Sequence, residues 1–222
     1  MPTRARKKAR GRRSVRAGKP GAPRGTRERL EVDERRAQLV RLGIDLFAAR
    51  SYDDVSIDEL AREAGISKGL LYHYFGTKRD FYVATVREAS RQLVELTATP
   101  DEMPPVERAR AGLDAYLDYV EAHAPSYAAL MRGGVGSDPE VAQIVDDTRD
   151  LLCDRMLSGL PGVTPTPLVR VAVRGWIGFC EATSLEWIAR RAVARSAIRD
   201  LMIEALLATV AIAARGAKVA TP

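Results

Sequence analysis

From Glu34 onward, apolar positions recur along the chain with a helical rather than an extended period. Leu39, Leu42, Gly43, Leu46 and Phe47 follow the i, i+3, i+4, i+7, i+8 spacing of an amphipathic helix that ends near Arg50. Ser56, with Glu59 three residues later, has the spacing of a capping box, and Ile57, Leu60 and Ala61 supply the inward face of a short second helix. Gly65 is placed to end that helix in the left-handed conformation, and Ser67 to cap the next one. The third segment, Ser67 to Phe75, puts Leu71 and Phe75 four apart on one face and leaves Lys68, Gly69, Tyr72 and His73 on others. Gly76 closes it. Thr77 then caps a longer helix with Phe81, Val86, Ala89 and Leu93 as apolar positions, running to about Thr97.

Pro100 and the Met103-Pro104-Pro105 run break the pattern. Val106, Ala109, Leu113, Tyr116, Leu117 and Val120 form the next stripe, and Pro125 separates it from a short segment through Met131. Gly133, Gly134 and Gly136 loosen the chain before Asp138 and Pro139 start a helix carrying Val141, Ile144, Val145, Leu152 and Met156. Pro161, Pro165 and Pro167 end it, and two helices, about Leu168 to Arg191 and Ser196 to Ala214, follow. The prediction is an all-α chain of about nine helices with no strand period and no internal repeat. Between Leu201 and Ala214 the single charged residue is Glu204, so the last helix is apolar nearly all round. Such a helix needs burial on more than one side, which an oligomer interface supplies.

Charge divides the chain. Residues 1–29 hold 12 Lys/Arg against Glu28 alone, which leaves 23 Lys/Arg against 28 Asp/Glu for the rest. The net charge of +6 therefore belongs to the N-terminal stretch, which mixes Arg/Lys with Gly and Pro and is predicted to be a disordered basic arm. Cys153 and Cys180 stand 27 apart with no His at ligand spacing, so neither a metal site nor a disulfide framework is expected, and a reducing cytoplasm fits. No apolar core of a signal peptide is present, and the longest uncharged apolar stretch, Ala205 to Ala214, is about half of what spans a membrane.

The stretch from Val55 to Lys78, VSIDELAREAGISKGLLYHYFGTK, resembles the DNA-binding signature of the tetracycline-repressor (TetR) family in its capping residues, turn glycine, aromatic cluster and following lysine. The resemblance covers residues 34 to 82 closely and the remainder only in helix count. It implies an N-terminal three-helix helix-turn-helix domain and a C-terminal helical domain for ligand binding and dimerisation. The organisation expected is an arm (1–29), a DNA-binding domain (30–80), an effector-binding and dimerisation domain (81–215) and a short tail (216–222). A bacterial cytoplasmic protein, associated with the nucleoid when DNA-bound, is the corresponding location.

The residues support this reading independently, because a helix-turn-helix lays its second helix in the major groove. Lys68 is suited to donate to guanine O6/N7, Gly69 lets the backbone approach, and Leu70 is placed to touch a thymine methyl. Tyr72, His73, Tyr74 and Lys78 are candidates for phosphate contacts, although an aromatic such as Tyr74 serves equally well as core. The resemblance implies Tyr72 and Lys78 as frequent DNA contacts, Leu71 and Phe75 as core, and Ser56 and Ser67 as caps that also meet phosphate. Residues 30–80 hold 8 Lys/Arg against 10 Asp/Glu, so non-specific attraction to DNA falls to the arm, unless that arm merely solubilises the protein.

For the C-terminal half the resemblance implies a homodimer through the last two helices, with Ala172, Gly175, Leu201, Ala205, Ala208 and Ile212 at the interface. It also implies a pocket for a small, largely apolar effector, with Tyr116, Tyr119, Tyr127, Met131, Trp176, Phe179 and Cys180 as candidate liners. Core packing accounts for the same seven residues equally well. Arg132 and Arg174 are candidates to anchor an acidic head group, or plain surface charges. No cofactor and no metal is expected. His73 and His123 have no nucleophile at a telling spacing, and Gly133-Gly-Val-Gly136 lacks the lysine of a phosphate loop. The expectation is a repressor released from a palindromic operator by its effector, with a ligand-independent or activating regulator, or a non-catalytic small-molecule-binding protein, as the alternatives.

Overall fold

The computed structural model describes residues 24–50, 52–134 and 138–219. Among them the regular elements are all helical: α1 (Arg24–Ala49), α2 (Ile57–Glu63), α3 (Lys68–Phe75), α4 (Lys78–Leu96), α5 (Pro105–Ala122), α6 (Ala124–Ala129), α7 (Pro139–Ser158), α8 (Pro167–Arg190) and α9 (Arg195–Val219), with a π-helical turn at Leu130–Gly134 after α6. The chain falls into two compact units, Met1–Arg35 and Arg36–Pro222.

In the first unit the described part is helical from Arg24, so the last residues assigned to the basic arm are ordered as helix. The run Arg27 to Arg35 contains no Gly or Pro and is rich in Arg and Glu, whose intrinsic helix propensity needs no apolar stripe. The rest of the expected arm, residues 1–23, lies outside the described residues.

In the second unit, α1 contributes Leu39, Val40, Gly43, Ile44 and Phe47 to the interior, while Leu42 and Leu46 are half-buried. Leu39, Gly43 and Phe47 lie inward as expected, Val40 and Ile44 join them in place of Leu42 and Leu46, and the stripe meets α4 at Gly43. A Cβ there would stand 2.6 Å from Thr85 Oγ1 and 2.7 Å from Phe81 Cζ, so α1 and α4 touch at a position that only glycine fits. Leu39, Val40 and Phe47 join Val55, Ile57, Leu60, Ala61, Leu71, Phe75 and Phe81 in one core. Phe47 and Phe75 pack edge-on or tilted against Phe81 or Tyr82, at centroid separations of 4.8 to 6.1 Å.

Helix α4 serves two cores. Phe81 closes the N-terminal one, while Val83 and Val86, two and five residues on, pack with Val141 and Ile144 of α7. The boundary expected at residue 80 therefore runs through the start of a shared helix, and Arg36 to Pro222 hold together as one unit. The third core joins α5, α7, α8 and α9 through Leu113, Leu117, Cys153, Val169, Val173, Trp176, Met202 and Leu206. Trp176 Nε1 donates to the Met202 carbonyl at 2.7 Å, which satisfies the indole inside the α8–α9 contact. Helix α9 continues past the expected end at Ala214 to Val219.

Candidate DNA-reading surface and effector cavity

Local capping sets the frame of the reading helix. Ser56 Oγ accepts from Glu59 N at 3.2 Å and starts α2. The Glu59 carboxylate meets Arg50 at 2.7 Å, which pulls it below the usual carboxylate range. Gly65, at φ +63°, ends α2 with Ile66 N donating to the Ala61 carbonyl at 3.0 Å. Ser67 Oγ accepts from Leu70 N at 3.2 Å to open α3, and Gly76, at φ +73°, closes it. Thr77 and Asp80 then form a reciprocal capping box at the head of α4.

This frame turns α3 so that Leu71 (1% exposed) and Phe75 (6%) point inward, while Leu70 (39%) and Tyr72 (40%) point outward. Lys68, Gly69 and His73 share the exposed side, and Ser56 and Ser67 are exposed beside it. Tyr74 is half-buried and packs against the N-terminal core, so its ring belongs with the interior rather than the outer face. A Cβ on Gly69 would meet nothing within 4 Å, so packing places no demand for glycine there. The exposed leucine and the unneeded glycine, side by side at the N-terminal end of α3, are features that folding alone does not explain.

Two cations of this face have partners that sequence spacing did not reveal. Lys68 Nζ pairs with Asp58 of α2 at 3.0 Å, and that carboxylate raises the amine's pKa further. Lys78 Nζ lies 4.2 Å from the centre of the Tyr52 ring. A base or phosphate contact through Lys68 thus requires exchange of Asp58. The turn that places the start of α2 against the start of α3 was the available signal for that pair.

A cavity of about 720 Å³ lies among α1, α4, α5, α6, α7, α8 and α9. Tyr116, Tyr119, Tyr127, Met131, Trp176 and Cys180 line it as expected. Phe179 does not line it: one residue before Cys180, it is turned away from the cavity and is 37% exposed. There it joins Leu168, Val171 and Gly175 on an outward strip of α8, beside exposed Leu201, Ala208 and Ile212 of α9. Ala172 and Ala205 are half-buried against the core within the chain. Arg132 is exposed and Arg174 pairs with Asp146 at 3.1 Å, and neither reaches the cavity. The arginines that line it are Arg108, Arg149 and Arg155. Arg149 is held by Glu181 at 2.8 Å, and Arg155 donates to the Val94 carbonyl at 2.7 Å.

The cavity is tied to the reading surface through α4. Arg79, next to Lys78, makes a two-pronged ion pair with Asp138, Nε to Oδ2 at 2.6 Å and Nη2 to Oδ1 at 2.8 Å. Asp138 also caps α7 by accepting from Glu140 N at 2.9 Å, and its carboxyl is held below the usual range, chiefly by Arg79. Tyr82, one turn after Lys78 and Arg79, lines the cavity, as do Val145, Thr148 and Leu152 of α7. Arg79 and Asp138 stand 59 residues apart, and no local pattern announces their pairing.

Cys153 and Cys180 are free and buried, and burial pushes both thiols above their ordinary pKa. Among the described residues, no group of three or more His, Cys, Asp or Glu is placed to hold a metal ion, and no helix is long and apolar enough to cross a membrane.

The chain thus combines a capped helix-turn-helix with a hollow helical body through a shared helix. Residues 39–85 match the family model described as bacterial regulatory proteins of the tetR family, and residues 105–209 match the tetracyclin repressor-like C-terminal domain. A tetR-family transcriptional regulator from Streptomyces coelicolor superposes with a TM-score of 0.77 at 36% identity, over 82% of this chain and 83% of that one. The chain belongs to the TetR family. It is 33% identical over 119 residues to the HTH-type transcriptional activator FasR of Mycolicibacterium smegmatis, a match that covers 51% of this chain and about half (53%) of that relative. FadR of Bacillus subtilis, solved in complex with stearoyl-CoA, shares the fold at 17% identity, with a TM-score of 0.60 over 77% of this chain and 96% of that one.

Proposed function

We propose that the protein is a dimeric repressor that occupies a palindromic operator and leaves it when a small, largely apolar effector fills the cavity. The observation that carries the reading is the division of α3, with Leu71 and Phe75 committed to the core and Lys68, Gly69 and Leu70 left outward with no packing role of their own. In this reading Lys68, Gly69 and Leu70 meet base edges, and Ser56, Ser67, Tyr72, His73 and Lys78 meet phosphates. The positive charge of residues 1–29 supplies the salt-dependent attraction that the acidic helix-turn-helix lacks. The relatives, named as regulators, support a non-catalytic role.

Dimerisation rests on the outward strips of α8 and α9, where Val171 is 67% and Ile212 63% exposed in the single chain. Apolar side chains in such a row are stabilised by a two-fold partner surface. Release requires that the effector bind the DNA-incompetent state more tightly. The Arg79–Asp138 pair is the element we assign to that coupling. It fixes the DNA-facing end of α4 to the cap of α7, and both helices line the cavity.

Selection of bound sequences from random duplex DNA tests the proposal. A palindromic winner with two half-sites about one helical turn apart is expected. Absence of any enriched sequence contradicts it. The name of the M. smegmatis relative favours a second reading, activation, and a promoter–reporter assay separates the two by sign.

A further inference from the structure

The donor count in the cavity wall is uneven. Tyr116 Oη and Tyr127 Oη lie 2.7 Å apart, and both side chains line the cavity. Burial pushes both phenols well above their ordinary pKa, so both keep their protons near neutral pH. Two hydroxyls carry two protons and share one hydrogen bond, which leaves one O–H over. Ser184 stands beside Tyr116, but its fully buried Oγ has no partner at hydrogen-bonding geometry. Were it to accept from Tyr116, its own proton would become the spare one. An unmatched donor in so buried a place is costly.

The charges of the wall disfavour an anion as the missing acceptor: Arg108 pairs with Asp101 at 3.1 Å, and Arg155 donates to the Val94 carbonyl at 2.7 Å. Arg149 on the same wall has Nε and Nη2 on Glu181, at 2.8 Å each, and Nη1 on Asp146 at 2.9 Å, so its donor edges are committed. The negative field of Glu181 also helps raise the pKa of Tyr116, Tyr127 and Cys180, and it would repel a carboxylate placed among them. We infer that the effector is an apolar molecule bearing a neutral hydrogen-bond acceptor, a carbonyl or ether oxygen, which takes the spare proton of the Tyr116–Tyr127 pair. This rests on the reading of the cavity as the effector site.

Three probes with one two-ring body test it on the full-length protein by calorimetry: benzophenone with a carbonyl, diphenylmethane with a methylene in its place, and diphenylacetate with a carboxylate. In Tyr116→Phe/Tyr127→Phe the affinity for benzophenone should fall by about threefold to tenfold relative to diphenylmethane, the range of one hydrogen bond. Diphenylacetate should show no such loss. An unchanged benzophenone-to-diphenylmethane ratio, or a loss confined to diphenylacetate, overturns the inference while leaving the cavity as an effector site. Failure of all three to bind the unaltered protein removes the cavity reading and the inference with it. A second measurement needs no variant: the infrared carbonyl stretch of bound benzophenone should lie below its position in hydrocarbon solvent, and a stretch at the hydrocarbon position overturns the proposal.

Discussion

The reading head and the hollow body are built by different kinds of contact. In the stretch from Ser56 to Asp80, each helix start and stop is set by a residue within three to five positions of the group it satisfies: Ser56 to Glu59, Ala61 to Ile66 around Gly65, Ser67 to Leu70, Thr77 to Asp80. In the body, the decisive pairs are far apart in sequence: Arg79 with Asp138, Arg149 with Glu181, Trp176 with Met202. The helix ends of the head are thus set locally, whereas the body is held by long-range pairs, with Arg149 and Glu181 on the cavity wall itself. That difference fits the proposed division between a DNA-reading surface and an effector cavity.

Substitutions within the head sharpen the contrast between its two faces. Leu71→Ala empties a fully buried site and should lower stability by about 2–5 kcal/mol. Lys68→Ala removes an exposed side chain whose partner Asp58 returns to water, so its thermal midpoint should stay within a few degrees of wild type. Its affinity for the selected operator should fall by roughly tenfold to a hundredfold. Comparable thermal losses in the two variants would erase the distinction between the faces. Next in size, Gly43→Ala drives a methyl into Phe81 and Thr85 and should cost about 1–3 kcal/mol on thermal or denaturant unfolding. An unchanged midpoint would show that α1 and α4 have room to part.

Asp138→Ser tests the link between head and body. Serine keeps the N-cap of α7 but is too short to reach Arg79, so helix content should be preserved. Removing an acid near the DNA-facing end of α4 should strengthen DNA binding by bulk electrostatics. Loss of the two-pronged pair should instead weaken operator binding, by roughly threefold, because α4 is no longer fixed at its DNA end. Filter binding or fluorescence anisotropy at one salt concentration separates the two by sign, and tighter binding would show that the pair does not position the reading head.

The same division explains what the sequence disclosed. Caps, turn glycines and the split of α3 were legible because their partners sit within one helical turn. In α1, Leu39, Gly43 and Phe47 lie inward as expected, whereas Val40 and Ile44 were missed because the residues that bury them come from distant parts of the chain. Phe179 was expected in the cavity beside Cys180, yet adjacent residues on a helix point about 100° apart, and the strip it joined becomes visible only once Trp176 and Cys180 are seen to face inward. The arginines of the cavity escaped notice because each looks like a surface charge until its distant partner is placed. The early start of α1 had no apolar period to mark it.

The most direct test of the central claim, that the outer face of α3 is kept for DNA and not for folding, is Gly69→Ala, followed by thermal unfolding and operator titration on the same sample. Alanine meets no atom within 4 Å and has the higher helix propensity, so stability should rise slightly, by up to about 1 kcal/mol. Operator affinity should fall, because the added methyl stands where the backbone must approach the groove. A variant that binds the operator as tightly as wild type while gaining stability would contradict the account.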